Sequence, residues 1–264
     1  MLYKKGARDE FANYRAIGLL CHAYEVLSVI VLRRMQSALE ERLPDSQAGF
    51  RKARGCRDNV LILKLIIEEI IKAGQELVIV FIDYTAAFDS LSHRFLDESL
   101  AEANVPAKVR RIIRAIYNAA NGAVRIRQQF VDRGSIQGDI YSPPAFTIAL
   151  DHVFRRHDTM CEGVSGPPLH IPPVSKIEYA DDAALVNDST RDASIRISAL
   201  AKGGSEEACI GVSLKKTKAM PVRKYNPVSE TREEEVVDLK LPHKCPDCNR
   251  TFPKQHGLNV HRAR

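Results

Sequence analysis

No apolar run in these 264 residues is long enough to cross a bilayer. The longest, "VLILKLII", is interrupted by Lys64, whereas a spanning helix needs about 20 apolar residues. The opening "MLYKKGARDEFANY" lacks the apolar stretch of a secretory leader, so a soluble, intracellular chain is expected. Cysteine is sparse, six in all, and Cys21, Cys56, Cys161 and Cys209 are scattered through helix-like and strand-like patterns. That distribution argues against a disulfide framework and suggests buried thiols, with the close pair Cys245 and Cys248 left for a metal. Internal repeats are absent. Acid is outnumbered: 39 Lys and Arg face 33 Asp and Glu, a net charge of +6, which favours a polyanionic partner.

What is present suffices for a core, with 45% hydrophobic residues. "YEVLSVIVLRRMQSALEERL" from Tyr24 to Leu43 has helical spacing and stops before Pro44. A basic loop, "LPDSQAGFRKARGCRD", follows. The next helix, "DNVLILKLIIEEIIKAG", has Asp58 as candidate N-cap and Gly74 as its stop. "ELVIVFIDY" is unbroken and β-branched, as for a central strand buried on both faces and ending in Asp83.

Two helices then read from "SHRFLDESLAEA" and "PAKVRRIIRAIYNAA", the second with Pro106 in its first turn. "AVRIR" reads as one strand, "RGSIQGDIYSPP" as a loop, "PPAFTIALDHVFRRH" as a helix, and "KIEY" and "AALV" as strands. "RDASIRISALAKGGSEEACIGV" reads as a helix broken at Gly203 and Gly204. The order implies an α+β fold, a sheet covered by helices on one face.

"KIEYADDAALV" sets Asp181 and Asp182 in the middle of a strand-like apolar run. Side chains alternate along a strand, so adjacent acids cannot both aim at one site from regular β structure. A hairpin turn at Ala180 to Asp182 would let both project from its tip. Adjacent carboxylates raise each other's pKa, and a divalent cation reverses that by favouring the ionised forms. Asp83, at the end of its own apolar strand, is the natural third acid. Oxygen-only ligands suit magnesium, and two such ions can serve a phosphoryl displacement.

"FIDYTAAFDS", "RGSIQGDIYSPP" and "YADD", in this order, resemble the three palm motifs of reverse transcriptases, specifically those of non-LTR retrotransposons. "NYRAIGLL" and "DSQAGFRKARGCRDNV" resemble the fingers motifs, and "GVSLKKTKAM" the motif that closes the palm. The resemblance covers roughly residues 11–220 and implies a right-hand polymerase palm, an antiparallel sheet covered by helices, with partial fingers. It implies Asp83 and Asp181 as magnesium or manganese ligands, with Asp182 beside them in support. It further implies that Phe88 packs against the incoming sugar, that Gln137 and Gly138 lie against the template and nascent base pair, and that Arg51 approaches the triphosphate or template. Lys216, among three neighbouring lysines, would approach the leaving pyrophosphate. The implied reaction is attack of a DNA primer 3′-hydroxyl on a deoxynucleoside triphosphate, templated by RNA, with a nuclear setting.

Departures from the family pattern include Ala16 where proline is usual and a shortened segment, "QQFVD", before Gly134. No helical thumb is legible after Lys218.

The last stretch, "CPDCNRTFPKQHGLNVH", resembles a zinc finger. Cys245, Cys248 and His261 match three ligands, and Phe252 and Leu258 match the two apolar positions of its miniature core. The fourth ligand is missing, so the finger reads as truncated. The expected organisation is partial fingers over 1–75, a palm over 76–220, a linker over 221–243 and the finger-like tail over 244–264. Two functions of different class follow: an RNA-directed DNA polymerase, or an inert palm that only binds nucleic acid. A two-metal nuclease explains less, because Phe88, Gln137 and the fingers motifs add nothing to it.

Overall fold

The computed structural model describes residues 2–3, 7–9, 14–15, 20–85, 87–119, 123–124, 127–128, 134–136, 138–161, 174–206, 208–213, 215–223, 243–244 and 251–252. In chain order, β1 (Leu2–Tyr3) and β2 (Tyr14–Arg15) precede α1 (His22–Arg42), α2 (Cys56–Ala73), β3 (Leu77–Ile82), β4 (Tyr84–Thr85) and α3 (Ala87–Ser90). Next come α4 (His93–Glu102), α5 (Ala107–Ala119), β5 (Ala123–Val124), β6 (Arg127–Gln128) and α6 (Ser142–Met160). The chain continues through β7 (Lys176–Tyr179), β8 (Asp182–Asn187), α7 (Thr190–Glu206), β9 (Gly211–Val212), β10 (Lys218–Val222), β11 (His243–Lys244) and β12 (Thr251–Phe252). Two compact units interleave along it: residues 1–42 with 88–149, and residues 43–87 with 150–264.

The second unit is built on a four-stranded antiparallel sheet of order β10-β3-β8-β7. The all-apolar run Leu77–Ile82 takes an inner position because it can bury both faces. Ile66 and Ile70 of α2 form a core with Leu77, Ile79, Ile177, Ala184, Val186 and Val222. The alternate residues Val78, Val80, Ile82 and Leu185 are buried as well, so the sheet is covered on both faces and not on one as the element order suggested. β10 runs through Pro221 and Val222, two residues into the stretch that reads as linker. Proline is tolerated there because β10 is an edge strand.

Helix ends follow local chemistry. α2 is capped at Gly55, not at Asp58. Asp58 is the third helical residue and accepts the Gly55 N–H at 2.8 Å, the inner half of a capping box. Gly74 ends the helix with φ +65°, as its lack of Cβ allows. α7 continues through Gly203 and Gly204 to Glu206. Gly204 is there for space: a Cβ on it would sit 2.7 Å from the Ile210 carbonyl oxygen, whose N–H in turn donates to Gly204 O at 2.8 Å.

In the first unit α1 buries Val31, Met35, Ala38 and Leu39, and α5 buries Val109, Ile113 and Tyr117, the spacing of single helical faces. Pro106 lies just outside α5; its carbonyl accepts the N–H groups of Val109 and Arg110 at 2.8 and 3.1 Å. "AVRIR" is not one strand: β5 turns back into β6, pairing Ala123 with Gln128 and Val124 with Arg127. A two-residue connection suffices for an antiparallel return, and the return strand takes only Gln128 from "QQFVD". Cys161 is buried, Cys209 half-buried, and Cys21 and Cys56 are exposed, all four free. The expectation of buried thiols therefore fails for two of them, which open helices at the surface. Among the described residues no helix is long and apolar enough to cross a membrane.

Candidate active site

β7 and β8 form a hairpin in which Tyr179 pairs with Asp182. The turn is therefore Ala180 and Asp181, and Asp182 opens the strand, exposed, while Asp181 is half-buried. The two acids do not both sit on the tip, because a two-residue turn leaves Asp182 within the pleat, where neighbours face opposite ways. Ala180 has φ +56° and Asp181 is not among the positive-φ residues. Positive φ at the first turn position alone is the pattern of a II′ hairpin, where glycine is usual.

β3 pairs with β8 so that Ile82 faces Ala183, and the chain leaves the sheet at Asp83 beside the Ala180–Asp181 turn. Two flanking pairings hold Asp83. β10 runs along β3 before it, and β9 pairs with β4 after it, Tyr84 with Val212. The connection between β9 and β10 closes over the backbone: Ser213 N–H donates to Asp83 O at 2.7 Å, and Asp83 N–H donates to Thr217 Oγ1 at 3.4 Å. Lys216 lies in that connection and its Nζ reaches Asp83 Oδ1 at 3.2 Å. Lys215, Lys216 and Lys218 of "KKTK" are all exposed, and among the described residues Lys216 makes the ion pair to Asp83.

Tyr84 is buried against this site, and its hydroxyl has no hydrogen-bond partner among the described residues. Burial, with the negative charges of Glu178 and Asp181, pushes its phenol well above the ordinary range. Behind the turn, Glu178 is buried. Burial raises its carboxyl, against the opposing pull of Lys176 and the Ser46 hydroxyl. Ser46 Oγ donates to it at 3.0 Å and Lys176 Nζ lies 4.0 Å away. Lys176 also meets Asp158 at 3.1 Å and covers the Phe154 ring at 4.7 Å. Burial alone would raise Asp158, but the His157 hydrogen bond and the Lys176 cation outweigh it and bring the carboxyl to about 2.

Arg51 is half-buried and turned back on its own loop, where Nη1 donates to the carbonyls of Pro44 at 2.8 Å and Gln47 at 3.2 Å. Arg54 pairs with Asp45. Both guanidinium groups therefore brace the loop before α2. The segment Ser46–Ala48 is laid along β7: Glu178 N–H donates to Ser46 O at 2.8 Å and Ala48 N–H to Glu178 O at 2.9 Å. Asn59 of α2 adds a bond from Nδ2 to Glu178 O at 2.8 Å.

Phe88 and Gly138 belong to the other unit. Phe88 is half-buried and stacks on Phe146, centroids 4.1 Å apart and planes at 23°. Its carbonyl accepts the Ser135 N–H at 2.6 Å, the Leu91 carbonyl accepts the Gly134 N–H at 2.8 Å, and His93 Nε2 bonds Gly134 O at 2.8 Å. The loop is thus strapped onto the Phe88–Leu91 segment. Gly134 has φ +88° and stands where a Cβ would lie 2.9 Å from Asp89 O. Gly138 is exposed with φ +110°. Asp139, which sequence reading passed over, is buried and accepts Tyr24 Oη at 2.8 Å and Ser142 Oγ at 3.4 Å. Gln137, Cys245, Cys248 and His261 lie outside the described residues. Nearby, β11 and β12 pair His243 with Phe252 and Lys244 with Thr251.

Among the described residues no three His, Cys, Asp or Glu side chains gather as a metal cluster. The donor set nevertheless fits magnesium, which is commonly held by one or two carboxylates and completes its shell with water and substrate phosphates. Asp83 and Asp181, hard oxygen donors at one end of one sheet, meet that requirement.

The family profile described as reverse transcriptase (RNA-dependent DNA polymerase) matches residues 3–235. Over 137 residues the chain is 30% identical to the retrovirus-related Pol polyprotein from type-2 retrotransposable element R2DM of Drosophila melanogaster, covering 48% of this chain and 13% of that protein. It is 24% identical over 195 residues to the Pol polyprotein from type-1 retrotransposable element R2 of Popillia japonica, covering 72% of this chain and 27% of that one. The chain thus spans roughly an eighth to a quarter of the length of these relatives. Among solved structures, telomerase from Candida albicans, in complex with a TWJ fragment of telomeric RNA, shares the fold at 15% identity and a TM-score of 0.55, over 83% of this chain and 38% of that one.

Proposed function

This chain belongs to the reverse transcriptase (RNA-dependent DNA polymerase) family, and on that premise we propose that it is the palm-bearing part of a non-LTR retrotransposon polymerase. Its substrates are then an RNA template, a DNA primer and deoxynucleoside triphosphates. The observation that carries this reading is the meeting, at one end of the β10-β3-β8-β7 sheet, of the Asp83 strand end with the Ala180–Asp181 turn.

A divalent cation bound there, magnesium or manganese, would supply Lewis-acid stabilisation of charge on the attacking and leaving oxygens. Asp83 and Asp181 are the residues to hold it, and Asp182, exposed at the strand start, supports their charge. Lys216, whose Nζ lies 3.2 Å from Asp83 Oδ1, exchanges that partner for the leaving pyrophosphate in this reading. Phe88, its ring fixed by Phe146, is the surface for the incoming sugar, with Gln137 and Gly138 for the nascent base pair. Arg51 contributes by shaping the loop next to the turn and, in this reading, by its charge toward template or triphosphate. Affinity for nucleic acid comes chiefly from Lys and Arg contacts to phosphates, and base pairing supplies the sequence. Cys245, Cys248 and His261 offer zinc three ligands of the type it prefers in the tail, whose folding would then depend on the metal.

The test is primer extension on an RNA template with a DNA primer, comparing the native chain with Asp181→Ala. Extension should fall at least about 100-fold in the variant, the scale of losing a metal-stabilised transition state. Native rates in Asp181→Ala would overturn the assignment. No extension by the native chain, with the hybrid still bound, would identify a binding remnant instead.

A further inference from the structure

The turn that carries Asp181 is held by a residue the sequence reading did not single out. Gln47 is 2% exposed. Its Oε1 accepts the N–H of Ala180 at 3.0 Å and that of Gly49 at 2.8 Å. Its Nε2 donates to the Ala180 carbonyl at 3.4 Å. One carboxamide therefore serves both polar groups of the Ala180 residue, as a neighbouring peptide would in a sheet. The two N–H donors converging on one atom fix which end is oxygen, because an amide nitrogen cannot accept them.

Ala180 needs such a partner. Its φ of +56° is a conformation that brings Cβ against its own backbone and that residues other than glycine rarely keep unaided. The chain places no glycine there, and the glycine is on the other side of the contact. A Cβ on Gly49 would lie 2.2 Å from Ala180 N and 2.8 Å from its Cα, so only glycine lets the two backbones approach this closely. The bonds from Ser46 and Ala48 to Glu178 set the register of this approach, and Gln47 and Glu178 form a parallel bridge.

We infer that Gln47 is a positioning residue for the acid pair: its carboxamide holds Ala180 left-handed and so sets the direction in which Asp181 presents its carboxylate. The inference rests on the polymerase reading above. It predicts that the loop before α2 acts on catalysis through the turn, with no contact to substrate. Glutamate could accept the two N–H groups but, ionised, could not donate to the Ala180 carbonyl, and methionine of similar length can do neither.

The experiment compares the native chain, Asp181→Ala, Gln47→Met, and Gln47→Met combined with Ala180→Gly. Mn2+ affinity is read from the electron paramagnetic resonance of the free ion, beside kcat and KM for single-nucleotide extension and the melting temperature. In Gln47→Met, Mn2+ binding and kcat should each fall about five- to tenfold, the scale of a left-handed alanine released from its hydrogen bonds. KM for the nucleotide should stay within about twofold, since the residue makes no substrate contact. Adding Ala180→Gly should recover most of both losses, because glycine takes positive φ without penalty. A silent Gln47→Met, or a loss that Ala180→Gly does not lessen, overturns the positioning role. If native and Asp181→Ala bind Mn2+ alike, the polymerase reading fails first and takes this inference with it.

Discussion

At the scale of single residues the site depends on charges placed where burial makes them costly. Glu178 lies one strand position before Tyr179, and its buried carboxyl is raised above the ordinary glutamate range. A raised acid binds its proton more tightly folded than unfolded, so this contribution to stability is complete below the ordinary glutamate range. It is lost as pH rises through the folded value. Asp158 runs the other way: lowered to about 2, it stabilises above the ordinary aspartate range and loses that contribution as pH falls toward its folded value. Glu178→Gln should therefore melt higher than the native chain at about pH 8, with the gap closing toward about pH 4. Lys176 keeps Asp158 at 3.1 Å in that variant, so it is not left alone. Thermal melting at both pH values checks this, and a gap independent of pH would rule out ionisation of Glu178 as its cause.

At the scale of elements, close approaches of backbone decide more than propensity does. α7 runs through Gly203 and Gly204, although glycine is a poor helix former. The reason for Gly204 is steric, since the Ile210 carbonyl occupies the space of its Cβ. Gly204→Ala should consequently destabilise the chain by about 1–3 kcal/mol, the usual cost of forcing extra volume into a packed contact. Gly203→Ala, with nothing within 4 Å of its Cβ, should be neutral or mildly stabilising through helix propensity. Chemical denaturation of the two variants separates them, and equal effects would contradict the packing account. The same contrast explains the capping of α2. Asp58 and Gly74 are plain in the sequence as helix-end residues, but whether Asp58 caps from outside or from the third position depends on the path of the preceding loop. That path is set by Ser46–Ala48 lying on β7.

At the scale of the whole molecule the excess of base over acid, +6, bears on affinity rather than on fold. If about three phosphates are neutralised on binding a duplex, affinity should fall about 40-fold between about 50 and 200 mM salt. Fluorescence anisotropy with an RNA–DNA hybrid measures the slope, and a salt-independent affinity would remove the electrostatic account of binding. The interleaving of the two units is also a whole-molecule property. The boundary at Phe88 comes only five residues after Asp83, so residues of one motif, "FIDYTAAFDS", serve different compact units.

The sequence by itself determined the elements whose reason is local. The unbroken run Leu77–Ile82 had to be a buried strand, "KIEY" and "AALV" had to pair about a turn, and Asp83, Asp181 and Asp182 stood where those runs end. The order of motifs fixed the family. Contacts distant in sequence decided the rest. Gln47 reaches Ala180 across 133 residues and Lys216 reaches Asp83 across 133, and no periodicity records such pairs. Nor could the sequence show that Ala180 is left-handed, since alanine is no signal for positive φ. That conformation exists because Gly49 leaves room for the turn and Gln47 bonds it, and only the folded chain brings the three together.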